Sequence, residues 1–174
     1  VKPIIELGAG ALNLASCGAG CLLLGVGRAN DSYTGDCDIF TEVAHVKVLR
    51  PGLIRSVTLS QVRYEDRLQV YLQNEKVLQE PDSLFPPEVG HDCSTGGDHN
   101  DAEHIDVTRY FRAGGDIELR LRISAEHNGK GYARFEIRFD PSAVIDDPGW
   151  GPQPAIDLLG ATEGGLCIVT AACT

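Results

Sequence analysis

The densest group of potential ligands in this sequence surrounds residue 100. His91-Asp92-Cys93 is followed by Asp98-His99-Asn100-Asp101-Ala102-Glu103-His104. Oxygen donors from nearby chain positions can build a calcium site, and Asp98, Asp101 and Glu103 are the candidates here. His99 and His104 suit a transition metal instead. A second acidic set, Asp31, Asp36 and Asp38, has the character of a turn. Its spacing does not match an EF-hand loop, and aspartates so placed also act as turn caps. A solvated acidic loop is the plainer account of the first set and a capped turn of the second, so no cofactor is expected, with structural calcium as the candidate if there is one. Nucleophilic catalysis has no support, because there is no G-x-S-x-G motif and no serine placed to match a histidine. Nor do the carboxylates form a positional pair for glycoside hydrolysis. Tyr71, Tyr110 and Trp150 could offer aromatic faces to a sugar near Asp66, although aromatics make up only 6% of the chain and serve first as packing. The expectation is a protein that binds and does not catalyse.

Charge narrows the partners. The 174 residues carry a formal net charge of -10. Nucleic acid needs clustered Lys and Arg and is excluded, and an anionic membrane surface is disfavoured. No apolar run approaches the roughly 18–20 residues needed to cross a bilayer, so no membrane insertion is expected. Six cysteines, Cys17, Cys21, Cys37, Cys93, Cys167 and Cys173, form an even set without a CxxC pair. That favours disulfides over zinc and points to an oxidising, extracellular compartment. Six cysteines allow 15 pairings, and the residues alone leave these open. The chain begins at Val1 and contains no Met. This suits a mature product whose signal peptide has been removed, or a domain of a longer precursor.

The elements that must position these groups read as strands. Val46/Val48, Val57/Leu59, Leu68/Val70/Leu72, Ile117/Leu119/Leu121/Ile123 and Phe135/Ile137/Phe139 each alternate with polar residues. A period of two means a strand with one buried and one solvated face. Turn signals separate the runs at Arg50-Pro51-Gly52, Asn74-Glu75, Ala113–Asp116 and His127–Gly131, where Asn128-Gly129 is a strong hairpin signal. No strong amphipathic helix stands out. The predicted fold is all-β, an antiparallel β-sandwich or jelly roll stapled by disulfides. A Pro- and Gly-rich stretch over 80–104 reads as one long loop containing Cys93, and such loops are often functional. Asn30-Asp31-Ser32 matches an N-glycosylation sequon.

Three stretches resemble the TraN-type mating-pair stabilisation proteins of conjugal transfer. They are Asn30–Phe40, Tyr64–Leu72, and Ile105-Asp106-Val107-Thr108-Arg109-Tyr110-Phe111 with Gly131-Tyr132-Ala133-Arg134 and Asp140-Pro141. Together they span residues 21–150. The second and third stretches are also similar to generic carbohydrate-binding jelly rolls. The TraN-like resemblance implies a cysteine-rich, non-enzymatic protein of the bacterial cell surface that contacts other proteins. It further implies a Cys37–Cys93 pair. Cys17, Cys21, Cys167 and Cys173 would then tie the two termini together.

The two ends are the least charged parts of the chain. Residues 1–20 form an apolar arm ahead of a sandwich over 21–174, and 152–174 is again nearly uncharged, with Leu166–Cys173 reading as a strand. The arm either completes its own sandwich or leaves it and adds as a strand to a neighbour, as in donor-strand complementation. The second option is the expectation, with Pro3, Ile4, Ile5, Leu7, Leu12 and Leu14 as assembly residues. A head-to-tail contact of that kind propagates into a filament, so the main expected partner is other copies of this chain. A monomeric adhesion module that recognises a cell-surface protein, or a calcium-dependent glycan binder, is the alternative.

Overall fold

The computed structural model describes residues 3–34, 37–81, 98–126 and 128–141, plus the backbone of 160–162 and 165–167. For Asp31, Thr34 and Asn128 only the backbone is described. The strands are β1 (Ile5–Leu7), β2 (Leu12–Ser16), β3 (Cys21–Thr34), β4 (Ile39–Val48), β5 (Ile54–Tyr64), β6 (Arg67–Leu72), β7 (Glu75–Glu80) and β8 (His99–Asp106). A short helix α1 (Thr108–Arg112) precedes β9 (Gly115–Ser124) and β10 (Asn128–Phe139), and β11 (Gly160–Thr162) and β12 (Gly165–Cys167) follow.

Two five-stranded antiparallel sheets pack face to face, in the orders β1-β4-β9-β6-β7 and β2-β3-β10-β5-β8, while β11 and β12 pair separately. Without β1 and β2 the orders are β4-β9-β6-β7 and β3-β10-β5-β8. That is the strand order of an eight-stranded jelly roll, two Greek keys wound together. The expected all-β sandwich is therefore the observed fold, and the jelly roll is complete before the arm is counted.

The alternating runs explain the layers. Ile117, Leu119, Leu121 and Ile123 of β9 are each at most 1% exposed, and they face Phe135, Ile137, Leu24 and Val26 of the opposite sheet across one core. Fully burying a side chain of this size stabilises by about 2 kcal/mol, an upper value because denatured chains already bury some surface. Helix α1 brings Phe111 into the same core, where its ring meets Phe135 at 6.2 Å. The β6–β7 hairpin turns at Gln73 (φ 49°) and Asn74 (φ 65°). Two consecutive left-handed residues suit the twist of a two-residue hairpin, and the tight turn expected beside Asn74 is found.

Two expectations change. Asn128-Gly129 does not close a hairpin, because β9 and β10 lie in different sheets. The chain crosses the sandwich there, and a short turn signal says nothing about which sheet the next strand joins. The loop expected through residue 104 ends early, because His99–Asp106 is edge strand β8, paired with β5. Its inward positions include His99, Asp101 and Glu103. Polar residues there erase the apolar alternation that marks the other strands. Residues 82–97, including Cys93, lie outside the described residues. So does most of the C-terminal stretch: of the strand expected over Leu166–Cys173, Leu166 and Cys167 fall in β12.

Candidate functional site

The N-terminal arm runs along one side of the sandwich and touches both sheets. β1 pairs with β4 through Ile5↔Val48, Glu6↔Lys47 and Leu7↔Val46. The chain then crosses over, and β2 pairs with β3 from Leu12↔Val26 to Ser16↔Leu22. Backbone bonds mark the crossing: Gly8 N–H donates to His45 O (2.8 Å), His45 N–H to Ala9 O (2.8 Å), and Gly27 N–H to Ala11 O (2.9 Å). Gly10 has φ 111°, and a Cβ there would lie 2.6 Å from Ala44 Cα. Glycine is the residue that fits both the conformation and the approach.

All six expected assembly residues contact the chain's own sandwich or lie beside it. Ile4 and Ile5 are each 1% exposed and Leu14 6%. Leu7 and Leu12 are half-buried against the core, and Pro3 is half-buried at the start of the arm. The Glu6 side chain between them is exposed. In the isolated chain the arm thus takes the first of the two positions considered above, completing its own sheets.

The cysteines separate into two groups. Cys17 and Cys21 bond to each other, with Cα atoms 5.1 Å apart, so this pair staples the β2–β3 turn and does not join the termini. The reason is local: the hairpin register brings its own ends together. Cys17 N–H donates to Cys21 O across the same turn. Cys37 is also disulfide-bonded. Cys93 and Cys173 are outside the described residues, and of Cys167 only the backbone is described.

The acidic sets are dispersed. Asp36 and the side chain of Asp31 are outside the described residues, and Asp38 is exposed. Asp98 accepts a hydrogen bond from Lys130 Nζ at 2.6 Å, and that bond holds its carboxyl below the usual range. Asp101 accepts from the Tyr64 hydroxyl at 3.2 Å, while the His99 ring stacks on Tyr64 at 4.6 Å. Burial, and then the neighbouring Asp101, pushes Glu103 up. Asp98 and Asp101 therefore have protein partners of their own. No three His, Cys, Asp or Glu side chains converge in a metal-holding geometry among the described residues.

Other polar constellations come from register and were invisible in the sequence. Tyr33 donates to Glu42 (3.1 Å), which also pairs with Arg28, linking β3 to β4 across the sandwich. The backbone N–H of Glu126 donates to buried Asp66 at 2.7 Å. On the outer face of one sheet, Arg120 lies over the Tyr71 ring at 4.7 Å. On the outer face of the other, Asn13, Tyr132, Arg134 and Arg63 come together from β2, β10 and β5. Alternation assigned each of these residues to a polar face; only strand pairing makes them neighbours.

No protein-family model matches this chain, and no curated protein matches it.

Proposed function

We propose that this chain is a non-enzymatic extracellular structural protein, the subunit of a self-assembling filament of the bacterial cell surface. In this reading the arm of one copy adds as a strand to each sheet of the next. One observation carries it: the eight strands β3–β10 already form a jelly roll, and the arm is an addition at one edge of each sheet. The arm's anchors are apolar and deeply buried. An exchanged arm would make the same ladders with a neighbour that it makes at home, which is why exchange of an identical element costs little. The Cys17–Cys21 disulfide suits an oxidising compartment.

A monomeric adhesion module, in line with the TraN-like resemblance, is the second reading. It is favoured by the arm's position on its own sandwich. Size-exclusion chromatography across a hundred-fold range of protein concentration, with negative-stain imaging, separates the two. Assembly predicts concentration-dependent polymers that vanish when residues 1–16 are deleted, with the deleted chain still rich in strand by circular dichroism. A full-length chain that stays monomeric throughout would refute it in favour of the module.

A further inference from the structure

The outer face of the sheet β2-β3-β10-β5-β8 carries a polar cluster that the core does not use and to which the arm contributes Asn13. Register lays it out. One row runs Asn13–Gly25–Arg134–Gln61, and the next runs Gly27–Tyr132–Arg63–Asn100. Cross-strand partners share a face, and diagonal neighbours lie about 7–8 Å apart, within reach of long side chains.

Three features distinguish this face. Tyr132 leans across β3 over Gly25, where any Cβ would run into the Tyr132 ring and Asn13 Oδ1. Asn13 holds the phenol oxygen by a side-chain hydrogen bond. Tyr132 is half-buried, seated on the sheet with part of the ring open to solvent, and among the described residues no guanidinium lies over it. Second, the Nε atoms of Arg63 and Arg134 are shielded from solvent and meet no acceptor. Neither arginine makes a direct ion pair among the described residues, in a chain of net charge -10, although the Asp98 carboxylate lies near enough to Arg63 to feel its charge. Third, the flank is lined by amides, with Gln61 Nε2 donating to Asn100 Oδ1.

We propose that this face binds an acidic polysaccharide, one carboxylate-bearing pyranose ring lying on Tyr132 with its carboxylate between Arg63 and Arg134. Charge complementarity selects an anion, because two guanidinium groups flank one spot while the nearby carboxylate that Arg63 feels, Asp98, is already bonded to Lys130, and guanidinium matches carboxylate in a two-pronged fashion. The seated ring offers a flat surface to the C–H face of a sugar. The Gln61 and Asn100 amides can exchange hydrogen bonds with ring hydroxyls. An acidic peptide would use the arginines and leave the ring and amides idle. Tyr132, Arg63 and Arg134 lie on β10 and β5, outside the arm, and only Asn13 comes from it, so the same site forms whether the docked arm is the chain's own or a neighbour's.

The test is titration of the full chain with oligogalacturonate of defined length, followed by NMR amide shifts and calorimetry. A neutral oligogalactan and poly-glutamate serve as the other two arms. The expected result is binding of the acidic sugar at least ten-fold tighter than of either control, with shifts centred on residues 25, 63, 132 and 134. Arg63→Gln, Arg134→Gln and Tyr132→Leu should each weaken it roughly ten-fold, the loss expected for a charge-assisted contact. Arg134→Lys, which keeps the charge and the fold, should also weaken it because the fork is lost. Equal binding of the neutral sugar, equal binding of poly-glutamate, undiminished binding by folded Arg63→Gln and Arg134→Gln, or no binding at millimolar ligand would each overturn the proposal.

Discussion

Replacing Ile5 by alanine tests whether the arm is part of the fold in solution. Ile5 is 1% exposed, pairs with Val48 and packs in the main core. Burying such a side chain and then truncating it removes the transfer energy of its lost carbons and leaves a cavity. Buried Ile→Ala substitutions cost 2–5 kcal/mol, and an edge site that can partly collapse belongs near the middle, at about 3 kcal/mol. For a domain of this size the urea slope is about 2 kcal/mol per M, so the midpoint should fall by about 1.5 M. The control is Val43→Ala, because Val43 is 39% exposed and its truncation should move the midpoint by less than about 0.3 M. Equilibrium urea unfolding, followed by circular dichroism at one fixed low protein concentration, reads both. A shift for Ile5→Ala no larger than the control's would show that the arm is undocked in the monomer and would refute the reasoning. A shift that appears only at high protein concentration would mean that the arm docks on another copy.

Opening the Cys17–Cys21 bond with the double Cys→Ser variant should cost about 2 kcal/mol, the chain-entropy value for so short a loop. Urea unfolding of this variant beside the unaltered chain, both without reductant so that the Cys37 disulfide stays closed, measures it. Glu103→Gln should raise the melting temperature at neutral pH. Because burial and Asp101 raise this carboxyl's folded pKa, its charged form is the destabilised one, and the gain should fade once pH falls below the ordinary glutamate range. Asp106 has the opposite sign: hydrogen bonds from the Thr108 side chain and backbone lower its pKa. Its contribution is present above the ordinary aspartate range and is lost as pH falls through the depressed value, so Asp106→Asn should destabilise at pH 7 and become neutral in strong acid. Asp66→Ala should cost about 1 kcal/mol by removing the buried acceptor of the half-buried Glu126 N–H, read as a lower thermal midpoint.

Much of the sandwich was legible because its signal is local. The runs at 46–48, 57–59, 68–72, 117–123 and 135–139 each announce a strand and the face it buries, and the structure buries those faces. Charge and the even cysteine count were equally direct. β8 was not legible, because an edge strand can hold His99, Asp101 and Glu103 at the rim of the core without the cost of full burial. Nor was the local Cys17–Cys21 pairing, which depends on a hairpin whose glycine-rich turn has no strong type-specific signal.

The arm shows where the two kinds of information divide. By itself the sequence determined that residues 3–16 are apolar, interrupted by Gly8 and Gly10, and must be buried somewhere, since side-chain chemistry and backbone freedom belong to each residue alone. Only the tertiary structure decided that Ile5 meets Val48, that Leu12 meets Val26, and that Tyr132 comes to rest between Arg63 and Arg134. Those are relations between strands far apart in the chain, and alternation says which face of a strand is apolar but not which strand it will meet.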